Sequence, residues 1–253
     1  VSPVFSAELT YKVLDFKDLK AWQQDDHAAA LKTFRNTCAD MKQSDFANLC
    51  AVAQSIENPR AFFELFFRPV LITQGKPALF TGYFEPELDG ATVPTARYRY
   101  PVYRMPPEAR RNQPWLTRAE IETGNVMSGR GLEIAWVDDP VELFFLQIQG
   151  SGRIRLENGR HIRVGYGGAN GHKYRSVGAE MVRRGIYQPH QVSAEVIKNW
   201  VRRNPIDGAE LLRHNPTYVF FRKVTRVSPE QGPLGAMNRA ITALRSVAVD
   251  PKY

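Results

Sequence analysis

The sequence has very little cysteine: two residues in 253, Cys38 and Cys50. No further Cys or His pair completes a four-ligand set around them, which excludes a structural zinc site. There is no run of about 18 apolar residues, which excludes a membrane-spanning helix within this sequence. The first residues, Val1-Ser-Pro-Val-Phe5, do not read as a signal peptide. Any export signal or lipid anchor is expected to have been removed or to lie outside these residues. The Gly150-Ser-Gly152 turn lacks the Lys-Ser/Thr pair that a nucleotide-binding loop requires. His172 and Ser176 are near in sequence, but no Ser-His-Asp set can be assembled by spacing. Internal repeats and low-complexity tracts are absent.

What remains is a folded-protein composition, 43% hydrophobic and 24% charged. The length fits one large domain or two small ones. The net charge is +8, with Arg153, Arg155, Arg160 and Arg163 close together. A basic surface suits an anionic polymer, whether nucleic acid or cell-wall glycan, and equally a solvated face with no ligand. A nucleic-acid binder would show affinity falling steeply with salt, but no nucleic-acid motif is present.

Leu31, Phe34, Cys38 and Met41 recur at spacings of three and four, predicting an amphipathic helix within 18–42. Ser44-Asp45 offers an N-cap to a second helix carrying Phe46, Leu49, Cys50 and Ala53 on one face. Asn58-Pro59 starts a third, whose Phe62, Phe63, Phe66 and Phe67 mark it as part of a packed helical cluster. Each cysteine sits on the apolar stripe of its own helix; facing helices would join them as one disulfide, and otherwise they are two buried thiols.

After Pro69 the texture changes. Residues 70–105 and 131–166 are rich in Phe, Tyr, Thr and Val cut by Gly and Pro, which predicts strands. Leu143–Gln149 reads as one of them, and Glu157-Asn-Gly159 as a hairpin turn. Helices are expected at 174–184, closed by Gly185, and at 194–203, capped by Ser193, with a short one at 207–214. Strands are expected at 217–223 and 244–249. Many short strands with a few helices predict an α+β chain whose sheets curl into barrels.

Three segments are more polar, aromatic and glycine-rich than a core needs. In Thr81-Gly-Tyr-Phe-Glu-Pro-Glu87, a Gly beside an aromatic and a carboxylate allows a sugar ring close to the backbone. In Gln147-Ile-Gln-Gly-Ser-Gly-Arg153, a strand would point Gln147 and Gln149 to one face, where amides can bind sugar hydroxyls. In Gly165-Tyr-Gly-Gly-Ala-Asn-Gly-His-Lys-Tyr-Arg-Ser176, the glycines suggest a tight loop with open amides, and Tyr166, His172 and Tyr174 offer flat faces. Each alone is matched by a bland reading: a strand end, a cross-strand pair, a structural histidine.

Their order is more specific. The first segment is followed by Tyr100-Pro-Val-Tyr-Arg-Met-Pro-Pro107, Leu116-Thr-Arg-Ala-Glu-Ile121, Pro140-Val-Glu-Leu-Phe-Phe145, Gln149-Gly-Ser-Gly152, Asn170-Gly-His-Lys-Tyr-Arg-Ser176 and Asn215-Pro-Thr-Tyr-Val-Phe-Phe221. From about Pro77 onward this set resembles the membrane-bound lytic murein transglycosylase A family. The helical N-terminal part matches only in general character.

The resemblance implies two domains: a split double-psi β-barrel built from both chain ends (1–96 and 218–253), and a smaller β-barrel inserted at 97–217. It implies cleavage of the β-1,4 bond between N-acetylmuramic acid and N-acetylglucosamine, with the muramyl 6-hydroxyl attacking its own C1 to leave a 1,6-anhydro ring. The nucleophile then belongs to the substrate, so one carboxyl group can serve as acid and base where most glycosidases need two. Tyr83, Glu85, Gln149, Ser151, Tyr166, Asn170, His172 and Tyr174 are the expected groove residues, with no metal or cofactor. The expected setting is the periplasm of a Gram-negative bacterium, as an outer-membrane-anchored monomer acting on peptidoglycan and beside cell-wall synthesis or division proteins. An oxidising periplasm favours the Cys38–Cys50 disulfide.

One departure stands out. The family's catalytic aspartate lies in an Asp-Thr/Val-Gly-Gly/Ser-Ala-Ile-Lys-Gly type segment, and none occurs here. Asp250, in Ala248-Val-Asp-Pro-Lys-Tyr253, does not match it. The catalytic residue is therefore expected beyond Tyr253, with poor stability and no turnover expected of residues 1–253 alone. A glycan-binding chain without catalysis, or Glu85 as the acid, are the alternatives.

Overall fold

The computed structural model describes residues 9–41, 44–73, 84–109, 113–228, 231–235 and 239–247. Two compact units emerge, residues 1–83 with 234–253, and residues 84–233.

In the first unit, β1 (Thr10–Val13) pairs antiparallel with β2 (Val70–Thr73). Between them lie α1 (His27–Thr37), α2 (Ser44–Ser55) and α3 (Pro59–Phe66). The helix expected within 18–42 is shorter, because Asp26 caps it by accepting from Ala29 N at 2.9 Å. Helix α3 has both features its sequence advertises: Asn58 Oδ1 accepts from Ala61 N at 3.0 Å, and Pro59 stands at the first turn. Leu31, Ala53 and Phe62 form the buried core of these helices, with Phe34, Phe63 and Phe67 packed around it. A disulfide joins Cys38 to Cys50, with Cα atoms 5.6 Å apart. The strand expected at 244–249 does not form over its described part. Leu244 has φ +60, and Ser246 N turns back to Thr242 O at 2.9 Å; residues 248–249 lie outside the described residues.

The second unit is built on β3 (Glu87–Ala91), β4 (Tyr100–Tyr103), β5 (Glu133–Val137), β6 (Gly152–Leu156), β7 (His161–Ala169) and β8 (Val219–Lys223). They form one sheet in the order β4-β5-β3-β6-β7-β8. Only the central β3–β6 pair is parallel. Edge strands β4 and β8 touch, so the sheet curls nearly into a barrel. The expected hairpin joins β6 to β7, with Gly159 at φ +77.

Among the described residues, five α-helices complete the unit: α4 (Arg118–Thr123), α5 (Pro140–Gln149), α6 (Val177–Arg183), α7 (Ala194–Arg203) and α8 (Pro205–Arg213). Helix α5 corrects the strand expected at 143–149. Asp139 accepts from Val141 N at 2.7 Å and Glu142 N at 3.2 Å, Pro140 opens the first turn, and Gly150 closes it at φ +78. The run carries no visible period because the helix is buried on two sides. Leu143 and Leu146 pack on Leu88, Ile154 and Val164 of the sheet, while Val141 and Phe144 pack on α6, α7 and α8. Each such buried side chain contributes about 1.5–3 kcal/mol. Helix α6 starts later than expected because Ser176 caps it, accepting from Ala179 N at 3.1 Å.

Candidate functional site

Three stretches meet at one end of the second unit: Phe84–Pro86, the Gln149–Gly152 turn after α5, and Tyr166 on β7. Arg153 N donates to Pro86 O at 2.8 Å. A Cβ on Gly152 would lie 2.7 Å from that carbonyl and would collide with Leu146 Cδ1, so only glycine lets the turn and the segment approach. The Tyr166 side chain stands 3.9 Å from where a Cβ on Gly150 would be. Phe84 and Tyr166 are exposed (67% and 52%), and so is Gln149 at the end of α5. Flat aromatic faces next to an amide suit a sugar ring and its acetamido group.

Glu85 lies in this cluster but is committed to protein. Its side chain is 10% exposed, and Oε2 accepts from Arg163 Nη2 at 3.1 Å, with Arg153 Nε 3.7 Å away. The carboxylates and arginines continue along the same face of the sheet: Arg153 on Glu87 at 3.1 Å, Arg155 on Asp89 at 2.6 Å, His161 on Glu87 at 3.3 Å. Three of the four clustered arginines, Arg153, Arg155 and Arg163, reside in this ladder.

The glycine-rich segment is divided. Tyr166 belongs to the cluster, but Asn170 does not. It is fully buried, with Nδ2 donating to Leu116 O and Pro216 O at 2.8 Å each, and Oδ1 accepting from Tyr218 N at 2.8 Å. His172 Nε2 donates to Trp115 O at 2.6 Å, and its own carbonyl accepts from Thr217 Oγ1 at 3.0 Å. These two residues brace 113–118 against 215–218. The glycines are equally committed. A Cβ on Gly168 would meet Met105 Sδ, one on Gly171 the Gln113 carbonyl, and one on Gly167 the backbone of Phe221. They allow chain segments to approach, where open amides were expected. Tyr174 is exposed (54%) ahead of α6. Ser151 sits in the turn, half-buried. Gln147 and Gln149 do not share a face: two residues apart on a helix, Gln147 is buried (3%) and Gln149 exposed. Tyr83 lies outside the described residues.

A separate cleft of about 950 Å³ opens between β4, α4, α5 and α8, and none of the expected site residues that are described lines it. Its floor is Arg118, buried to 2%, which donates to Glu122 at 2.9 Å, to Thr217 O at 2.8 Å and to Gln147 Oε1. The guanidinium lies over the Phe144 ring at 4.6 Å and the Tyr218 ring at 5.2 Å. Burial pushes the Tyr218 hydroxyl well above the usual tyrosine range. On the rim, Arg202 pairs with Asp139 at 2.7 Å and Arg213 with Glu122 at 3.1 Å. These charges are matched within the protein, as expected of a seam that holds elements together.

The model of the MltA specific insert domain matches residues 79–222. The chain belongs to the MltA family. A membrane-bound lytic murein transglycosylase A from Vibrio cholerae is 36% identical over 161 residues, covering 62% of this chain and 42% of the relative. The one from Escherichia coli K12 is 34% identical over 145 residues, 56% of this chain and 38% of the relative. The matches thus span about two fifths of these curated MltA relatives. Among solved structures, the lytic transglycosylase LtgG of Burkholderia pseudomallei aligns with 99% of this chain and 78% of its own, at 35% identity and TM-score 0.71. MltA of Neisseria gonorrhoeae, monoclinic form, aligns with 92% and 72%, at 30% identity and TM-score 0.79. The curled sheet with its packed helices is therefore an MltA-type fold.

Phe84, Arg153 and Arg163 were not singled out by sequence reasoning as site residues. Phe84 was legible, since it stands beside Glu85 in the same polar-aromatic segment. The arginines looked like surface charge.

Proposed function

We propose that this chain is the glycan-holding part of a lytic transglycosylase that cleaves the β-1,4 MurNAc–GlcNAc bond of peptidoglycan and leaves 1,6-anhydromuramic acid. The observation that carries the reading is the exposed cluster of Phe84, Gln149 and Tyr166 on an MltA-type fold. Relatives named lytic transglycosylases support it. Tyr83, Ser151 and Tyr174 are proposed as further contacts, and Glu85 as part of the same edge. Asn170 and His172 are proposed to shape the groove from behind. No cofactor is invoked, because the substrate's own 6-hydroxyl supplies the nucleophile and the tether supplies its effective concentration.

Glu85 is not proposed as the acid. A carboxyl that protonates a leaving oxygen must reach that oxygen, and the Glu85 side chain is 10% exposed and spent on Arg163 at 3.1 Å. This favours binding over proton transfer as the work of these residues, so a glycan-binding chain without catalysis of its own stands as the second reading.

The layout is part of the proposal: a double-psi barrel from both chain ends, with an insert near 97–217 whose flanking strands bring the compact unit to 84–233. Exposed Tyr11, Val13, Leu71 and Ile72 on β1 and β2 support further chain packing there, since a lone two-stranded ribbon is marginal in water. A periplasmic, outer-membrane-anchored setting is proposed from the relatives' description as membrane-bound; no helix among the described residues is long and apolar enough to cross a membrane.

Mass spectrometry of soluble products after incubation with purified peptidoglycan tests this. Anhydromuropeptides from the gene's whole polypeptide are expected. Hydrolytic products without the anhydro ring, or no binding to the wall, would reject it. Binding by residues 1–253 without products would favour the second reading.

A further inference from the structure

A buried arginine holds the Glu85 carboxylate of the candidate site. Arg163, on β7, is 2% exposed at its side chain. Its Nη2 donates to Glu85 Oε2 at 3.1 Å and to Gln231 O, and its Nη1 donates to Ser228 O at 3.1 Å and Gly232 O at 3.2 Å. Gln231 N also turns back to Ser228 O at 3.1 Å. Glu85 stands one residue inside the start of the second unit at Phe84, and Gly232 one residue before its end at Pro233. One planar guanidinium, whose fork can serve several acceptors at fixed angles, therefore ties the segment by which the chain enters this unit to the one by which it leaves.

We propose that Arg163 is a positioning residue for glycan binding. With Glu85 it locks the Phe84–Pro86 segment onto the Gly150–Gly152 turn and fixes the exit segment beside it, so that Phe84, Gln149 and Tyr166 present one surface. The inference rests on the glycan-binding reading above. Its physical basis is the burial of the pair. Glu85 Oε1 is buried with no hydrogen-bond partner, so the carboxylate depends on its arginines. Removing one member of a buried pair leaves an uncompensated charge, which costs more than removing both.

The test uses the gene's whole polypeptide and the variants Arg163→Gln, Arg163→Lys, Glu85→Gln and the double Glu85→Gln/Arg163→Gln. The first readout is native-state trypsin cleavage after Arg226, which is exposed just before Ser228. Arg163→Gln is expected to raise that rate about tenfold through local opening, with Arg163→Lys in between. The second readout is co-sedimentation with purified peptidoglycan. Arg163→Gln is expected to weaken binding about tenfold, and the double variant to recover part of the loss.

Cleavage of Arg163→Gln at the wild-type rate overturns the clamp. Faster cleavage with wild-type binding overturns the positioning role. Should Arg163→Gln fail to fold by its melt, Arg163→Lys carries both readouts with the same criteria. Wild-type protein that does not bind peptidoglycan rejects the glycan reading and the positioning role with it, while the trypsin result still decides the clamp.

Discussion

Asn170 and Tyr218 are joined twice. Tyr218 N donates to Asn170 Oδ1 at 2.8 Å, and Asn170 N donates to Tyr218 O at 3.0 Å. With its amide also spent on Leu116 O and Pro216 O, Asn170 joins three chain segments from a fully buried position. Asn170→Ala orphans buried partners, so an unfolding free energy lower by about 3 kcal/mol is expected in urea titration. An unchanged midpoint with lost glycan binding would instead make Asn170 a ligand contact.

How far the sequence could be read depended on where its signals are local. Caps are local, so Asn58-Pro59 and Ser193 mark their helices correctly. Helix α5 was misread because a run buried on two sides shows no period; its signature was Asp139-Pro140 before the run and Gly150 after it. The glycines of 165–171 are ambiguous in principle. The same residue admits a ligand or a neighbouring strand, and only Met105, Gln113 and Phe221, distant in sequence, reveal which. The commitment of Glu85 to Arg163, 78 residues away, was equally invisible.

The Cys38–Cys50 disulfide closes a short loop between α1 and α2 in a small helical cluster. Cross-linking lowers the entropy of the unfolded chain, so Cys38→Ser/Cys50→Ser is expected to cost about 2–4 kcal/mol. Hydrogen exchange should quicken in α1–α3 and stay unchanged in β3–β8. Equal exchange in both regions would contradict the division into units.

Glu180 gives a pH prediction. Its hydrogen bonds with Arg183 at 2.6 Å and Arg184 at 2.8 Å, and the nearby His214, bring its carboxyl from the ordinary 4.5 down to about 2. The folded value is depressed, so the contribution is complete above about pH 5 and is lost as pH falls toward 2. The stability gap between wild type and Glu180→Gln should therefore be largest near neutrality and shrink steadily below pH 4.5. A gap independent of pH would assign the effect to packing.

Tyr166 should behave in the opposite way to Asn170, although only three residues separate them. Its ring is 52% exposed, and its backbone is secured by pairing with Phe221 on β8 whatever the side chain. Tyr166→Ala should therefore change stability by no more than about 0.5 kcal/mol, as surface substitutions do. If the ring is a platform for a sugar, its loss should weaken binding to peptidoglycan about three- to tenfold, a difference of about 1 kcal/mol. Phe84→Ala is expected to do the same. A variant that melts far lower, or binds as well as wild type, would make Tyr166 an ordinary strand residue and remove the aromatic face on which the glycan reading depends.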